Sequence, residues 1–161
     1  MRAYRVAYDG RPYAGFQRQP HAKTVEGTLL AALADHDVLD PGDGPTHATP
    51  PGYAAAGRTD AGVSAVAQTV AFDAPTWLSP RAFNATLPDA IRVWAAADVP
   101  ATFHATHDAT ARTYRYHLYA PVGGLPDDEP AIDEDLLVAA FDRLSGEHDF
   151  HNLTTDETGT V

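Results

Sequence analysis

The sequence predicts an α+β fold, because strand patterns and helix patterns occur together along the chain. Hydrophobic residues alternate in 4–8 and in 91–95, which is the period of a half-buried strand. They recur every three or four residues in 25–33 and in 133–144, which is the period of a helix on a core.

The first elements follow from local signals. The alternating strand at 4–8 is ended by the turn residues of 9–12. The first helix has Thr24 as its predicted N-cap and the apolar residues of 25–33 on one side. Residues 36–52 are rich in Asp, Gly, Pro and Thr, which predicts a loop.

Residues 53–56 predict a short strand and 67–72 a longer one. Ser79-Pro80 is the start of a short helix, because a serine cap followed by proline at the first helical position suits the free amides there. The strand at 91–95 completes the order strand, helix, strand, strand, helix, strand.

The later part of the chain is predicted to begin in the same way. Tyr114, Tyr116 and Leu118 alternate as in a strand, and a helix follows over 133–144 with Gly146 as its stop signal. We therefore divide the chain into a first α+β half, residues 1–102, and the beginning of a second, residues 103–161.

The composition is that of an acidic, cysteine-free protein. Its 161 residues carry 22 acids and 11 basic residues, a formal net charge of −11, and no cysteine, which excludes a disulfide framework and a thiolate metal site. The N-terminus lacks the apolar segment of a signal peptide, and no apolar run approaches the length of a membrane span. We therefore expect a cytoplasmic protein.

Aspartate supplies 17 of the acids, and Lys23 is the only lysine. Such a surface is typical of proteins from extreme halophiles, in which salt screens the self-repulsion. The charge is also uneven: residues 1–25 carry a net charge of +4 (five basic residues, one acid) and residues 121–161 a net charge of −10 (one basic residue, 11 acids). Nucleic acid therefore remains a possible partner of the N-terminal part despite the acidic total.

The stretch Gly57-Arg58-Thr59-Asp60-Ala61-Gly62-Val63 joins two predicted strands. Its glycines allow a tight loop and close approach to the backbone, so that a carboxylate and a guanidinium are held on a constrained turn. The alternative is a plain surface turn in which Asp60 bonds its own backbone.

These seven residues resemble the signature of the tRNA pseudouridine synthase A family, in which the aspartate is the nucleophile. The family usually continues with histidine, whereas Ser64 stands here. The stretches 8–19, 103–116 and 146–150 also resemble the family. The first of these mixes arginine, glutamine and aromatic residues, which suits contact with phosphates and bases.

The resemblance implies isomerisation of uridine to pseudouridine in the anticodon arm of tRNA, at positions 38–40, without a cofactor or metal. Asp60 would be catalytic, and Arg58, Tyr114, Arg11 and Arg18 would bind the substrate. The resemblance also implies two related α+β halves that meet over a cleft, with mostly antiparallel sheets and helices on one face. It further implies a homodimer and a basic residue that pairs with the catalytic aspartate.

The family's later strand with that basic residue finds no match before Val161. We therefore expect an incomplete second half, and these residues alone should be inactive and prone to aggregate, so that a tRNA-binding fragment is the alternative function. A protein-interaction domain is a third hypothesis. A metal site is not expected, because the pairs His104/His107 and His148/His151 have no third ligand in sequence.

The acidic composition predicts that folding needs salt. The Debye length falls to ~3 Å in molar salt, and this stronger screening removes most of the repulsion between carboxylates. The melting temperature should therefore rise steeply from dilute buffer to molar potassium chloride. A melting temperature that does not change over this range would contradict the halophilic interpretation.

Overall fold

A computed structural model describes residues 1–39, 49–119 and 132–149. The chain divides into two compact units, Met1–Arg112 and Thr113–Val161, and each is described here by itself. The first unit contains the six predicted elements in the predicted order: β1 Arg2–Tyr8, α1 Val25–Asp35, β2 Ala54–Ala55, β3 Ala65–Phe72, α2 Pro80–Phe83 and β4 Ile91–Asp98.

The four strands form one antiparallel sheet in the order β2-β3-β1-β4. The central strand β1 is therefore paired on both sides, with Tyr4 opposite Val70 of β3 and opposite Ala96 of β4. The partner register of β1 shifts once on each side, between Val6 and Tyr8 against β3 and between Arg5 and Val6 against β4. The sheet thus confirms the antiparallel α+β prediction for this unit.

One face of the sheet carries the core and both helices. Tyr4, Val6 and Tyr8 of β1 are buried there, together with leucines of α1 and with Phe83 of α2. Phe72 stacks on Tyr4 with ring centroids 5.1 Å apart, and Phe83 meets Tyr4 edge-on at 5.5 Å. Burial raises the pKa of Tyr4 to about 12, and its hydroxyl donates to the backbone of Leu78 at 3.0 Å.

Both predicted helix caps are confirmed. The hydroxyl of Thr24 accepts the amide of Gly27 at 3.2 Å, and the hydroxyl of Ser79 accepts that of Ala82 at 3.2 Å. Each bond satisfies an amide that has no partner inside the first turn. The second face of the sheet is lined by small residues and packs Phe103 and Ala105 against Ala54 and Ala71.

The second unit contains helix α3, Glu134–Leu144, with Asp133 as N-cap and Gly146 at a φ of +105° just after its end. This confirms the helix predicted over 133–144. No helix among the described residues is long and apolar enough to cross a membrane.

The strand predicted from Tyr114, Tyr116 and Leu118 is wrong for the described structure. Residues 111–119 form no strand, and the three side chains are exposed. Alternation specifies a strand only where a neighbouring strand takes up the backbone hydrogen bonds, and no such neighbour occurs in the described part of this unit. The predicted loop at 36–52 contains residues 40–48, and the motif at 146–150 contains Phe150, all of which lie outside the described residues.

Candidate active site

The loop at 57–63 connects β2 to β3 at the end of the sheet where β1 finishes. Thr59 ties the middle of the loop to that strand, because its hydroxyl lies 2.9 Å from the hydroxyl of Tyr8. The side-chain amide of Gln68 on β3 donates to the carbonyl of Gly57 at 2.7 Å. The loop is therefore attached to two strands of the sheet by side chains.

The segment at 10–16 packs against the loop backbone to backbone. The amide of Phe16 donates to the carbonyl of Thr59 at 2.9 Å, and the amide of Gly62 donates to the carbonyl of Tyr13 at 3.3 Å. Of the two loop glycines expected to allow positive φ, Gly62 has a φ of +80°, whereas Gly57 does not have a positive φ. These bonds join a loop and a segment that are far apart in the sequence.

Glycine is required at two positions of that segment. A Cβ on Gly10 would lie 2.0 Å from the carbonyl oxygen of Val63, a distance that no side chain tolerates. Gly15 has a φ of +96°, and a Cβ there would lie 3.1 Å from the carbonyl oxygen of Thr59. The absence of side chains thus permits the close contact that fixes the loop.

Ser64 and Arg112 also hold the loop, and sequence reasoning missed both. The hydroxyl of Ser64, which stands where the family usually has histidine, accepts the amide of Gly10 at 2.9 Å. Arg112 donates from Nε to the carbonyl of Ala56 and from Nη2 to that of Thr106, both at 2.8 Å. The signal was present, because Arg112 lies inside the family-like stretch 103–116.

The side chains of Arg58 and Asp60 are exposed and make no hydrogen bond or ion pair with the described residues. The loop is closed by backbone instead, since the amide of Val63 donates to the carbonyl of Asp60 at 3.2 Å. The alternative of a surface turn stabilised by the Asp60 carboxylate is therefore wrong for the described structure. A fixed backbone that presents a carboxylate and a guanidinium to solvent is an arrangement suited to binding and chemistry.

Of the two predicted phosphate contacts, Arg11 lies within the segment at 10–16 and Arg18 lies two residues after it. Arg11 donates to both carboxylate oxygens of Asp9, with the shortest distance 2.7 Å, and these bonds lower the pKa of Asp9 to about 2. The Arg11 side chain is exposed. Arg18 is partly buried, and its backbone amide donates to the carboxylate of Glu26 at 2.7 Å.

Tyr114 belongs to the second unit, where 61% of its surface is exposed. The candidate site that the structure assembles within the first unit therefore consists of the loop at 57–63 with its exposed Arg58 and Asp60 and the nearby arginine-bearing segment.

Replacement of Gly10 tests the close contact between the segment and the loop. Gly10→Ala forces the backbone at Val63 and Ser64 to move, and overpacking of this kind costs about 1–3 kcal/mol. We expect a clearly lower melting temperature in molar salt. Gly57→Ala is the matched control, because the nearest atom to its Cβ is Nε of Arg112 at 3.8 Å. Equal melting temperatures for both variants would contradict the proposed role of Gly10.

Curated proteins named tRNA pseudouridine synthase A match the chain over nearly its whole length. Identity is 64% over 161 residues to the protein of Haloarcula marismortui, 62% over 160 residues to that of Halobacterium salinarum and 61% over 160 residues to that of Natronomonas pharaonis. Each alignment covers 99% of the chain, and the chain spans 55 to 57% of the length of these relatives. No protein-family model matches the chain. The high identity to these haloarchaeal proteins confirms the resemblance that the motifs predict, namely to the tRNA pseudouridine synthase A family.

Proposed function

We propose that this chain carries the catalytic loop of a tRNA pseudouridine synthase and that Asp60 is its catalytic residue. The observation that carries the proposal is the loop at 57–63, whose backbone is fixed from three sides while the Asp60 carboxylate stays exposed and unpaired among the described residues. The names of the relatives support the same activity.

The reaction suits a single positioned carboxylate. The bond between ribose C1′ and uracil N1 breaks, the base turns within the site, and C5 bonds to C1′ while the C5 proton leaves and N1 gains a proton. Asp60 either attacks the sugar or assists its proton loss, and both roles need a carboxylate held in place. Atoms balance without oxidation or hydrolysis, so the proposed reaction uses no cofactor or metal.

The proposed substrate is the anticodon arm of tRNA. A target nucleotide in a stem or loop has to leave its stack, which costs a few kcal/mol. Arg58 is exposed two residues from Asp60 and is proposed to hold the vacated stack or a neighbouring phosphate. Tyr114, which is also exposed, is proposed to stack on the displaced uracil.

The finer organisation is proposed on the same resemblance. Residues 1–102 and 103–161 are proposed to belong to the two related halves of one subunit, and the complete protein is proposed to be a cytoplasmic homodimer. A second candidate function is tRNA binding without turnover by this chain alone. It is favoured by one observation: among the described residues no cation pairs with Asp60.

Replacement of Asp60 tests the catalytic assignment. Asp60→Ala in the complete gene product should abolish tritium release from tRNA labelled at C5 of uridine and leave tRNA binding largely intact. Asp60→Glu should also fail, because a displacement of about 1 Å costs roughly 100-fold in such geometry.

Asp73→Asn is the control for the loss of one carboxylate. Asp73 is exposed and lies opposite the N-terminal end of β1, away from the loop. Turnover by Asp60→Ala at the wild-type rate would remove Asp60 from the mechanism.

Arg11 and Arg18 test the proposed phosphate contacts. Arg11→Ala or Arg18→Ala should weaken binding to tRNAs of any sequence and lower the slope of log K against log salt by about one unit for each lost contact. Arg143→Ala, in the last turn of α3, removes an equal charge elsewhere. If Arg11→Ala and Arg18→Ala both keep the wild-type slope, neither Arg11 nor Arg18 contacts a phosphate.

A further inference from the structure

The second face of the sheet has a covered half and an exposed half. Phe103 and Ala105 pack where β1 begins, against Ala54 and Ala71. Nearer the end of β1 the side chains are exposed, and 54% of Trp94 and 84% of Val66 are accessible. We call this second part the open half-face, and it consists of Arg5, Val66, Ala67, Arg92 and Trp94.

The strand register places its two arginines on the same side of the sheet. Ala7 of β1 lies opposite Arg92 of β4, and residues directly opposite on paired strands point to the same face. Arg5 is two residues from Ala7 on the same strand, so it shares that face. Arg5 and Arg92 are therefore neighbours on adjacent strands, and both are exposed.

The open half-face adjoins the catalytic loop. Arg5 lies opposite Thr69, and the carbonyl of Thr69 accepts the amide of Ala56 at 2.9 Å. Two strand spacings, about 10 Å, thus separate the backbone of Arg5 from the residue that precedes Gly57. A nucleotide held at Asp60 would have its flanking strand within reach of this surface.

The charge of this surface is opposite to that of the protein. The four strands contain a single acid, Asp98, and it pairs with Arg2 at 2.9 Å. Arg5 donates only to the carbonyl of Ala67, at 3.1 Å, and Arg92 has no hydrogen-bond or ion-pair partner among the described residues. On a chain of net charge −11 the sheet therefore presents two uncompensated guanidinium groups.

Trp94 adds a fixed aromatic surface. Its Nε1 donates to the carbonyl of Val66 at 3.1 Å. Because β4 and β3 lie on opposite sides of β1, this bond holds the indole across the central strand. Exposed arginines beside an exposed aromatic ring are the combination with which proteins bind single-stranded nucleic acid, phosphates by charge and bases by stacking.

We propose that the open half-face binds the RNA strand that flanks the target nucleotide, with Arg5 and Arg92 on its phosphates and Trp94 stacked on an unpaired base. This rests on the proposed function, because the strand is that of the tRNA. The charge complementarity favours RNA over a protein segment as the occupant.

Arg92→Gln in the complete gene product tests this surface, because the side chain is exposed and makes no hydrogen bond or ion pair with the described residues. We expect tRNA affinity to fall about two- to fivefold at fixed salt, the range of one exposed charge contact. The salt slope should fall by about one unit. Arg81→Gln on α2, an exposed arginine on the opposite side of the sheet, is the matched control and should change neither.

Protection of arginines from phenylglyoxal provides a second readout. Bound tRNA should protect Arg5 and Arg92 but not Arg81, with the modified residues identified by mass spectrometry. Wild-type affinity and slope for Arg92→Gln would overturn the inference, and so would failure of bound tRNA to protect Arg5 and Arg92.

The outcomes separate this inference from the proposed function. If Arg92→Gln binds tRNA normally while Asp60→Ala loses turnover, the half-face proposal fails and the synthase proposal stands. If Arg92→Gln instead lowers the melting temperature or changes the oligomeric state at unchanged tRNA affinity, protein covers this face and the inference also fails. If the wild-type protein neither binds tRNA nor forms pseudouridine, both proposals fail.

Discussion

The close contact between the segment at 10–16 and the loop at 57–63 is the constraint on which the candidate site depends. At Gly10 the two backbones approach so closely that a Cβ would overlap the carbonyl of Val63. Backbone hydrogen bonds then join Phe16 to Thr59 and Gly62 to Tyr13. Because these contacts involve the backbone of the loop, the side chains of Arg58 and Asp60 stay exposed and unpaired among the described residues.

The two faces of the sheet differ in what they contact. Its core face packs Tyr4 and Phe72 against the helices, which fixes β1 as the central strand. Its second face carries alanines together with the exposed side chains of Arg5, Arg92 and Trp94. The loop lies at the end of this sheet, tied to β1 through Tyr8 and to β3 through Gln68. Stability and proposed function are thus carried by opposite surfaces of one layer.

Net charge and local charge give opposite indications of the partner. The chain as a whole is acidic, and the similar proteins named above come from haloarchaea. The proposed RNA contacts are all arginines, which keep their charge and can donate two parallel bonds to a phosphate. In high salt the long-range repulsion of the acidic surface is screened, whereas a bidentate contact acts at short range. An acidic total is therefore compatible with binding nucleic acid at a few specific places.

The sequence by itself determined the elements of the first unit, their order and the identity of the loop. These predictions rest on local signals: the alternation at 4–8, the caps at Thr24 and Ser79, and Gly62 in the loop. Each depends only on residues that are neighbours in the sequence. Alternation at 114–118 did not produce a strand in the described structure, because a strand also needs a partner to bond with.

Only the tertiary structure showed what holds the loop and which residues share a face. The contacts of Gly10 with Val63, of Ser64 with Gly10 and of Arg112 with Ala56 join residues dozens of positions apart. No periodicity or short motif encodes such a pair, since it depends on how the sheet and the segments around it come together. For the same reason the sequence left Arg5 and Arg92 as isolated charges, and the register of β1 with β4 made them neighbours.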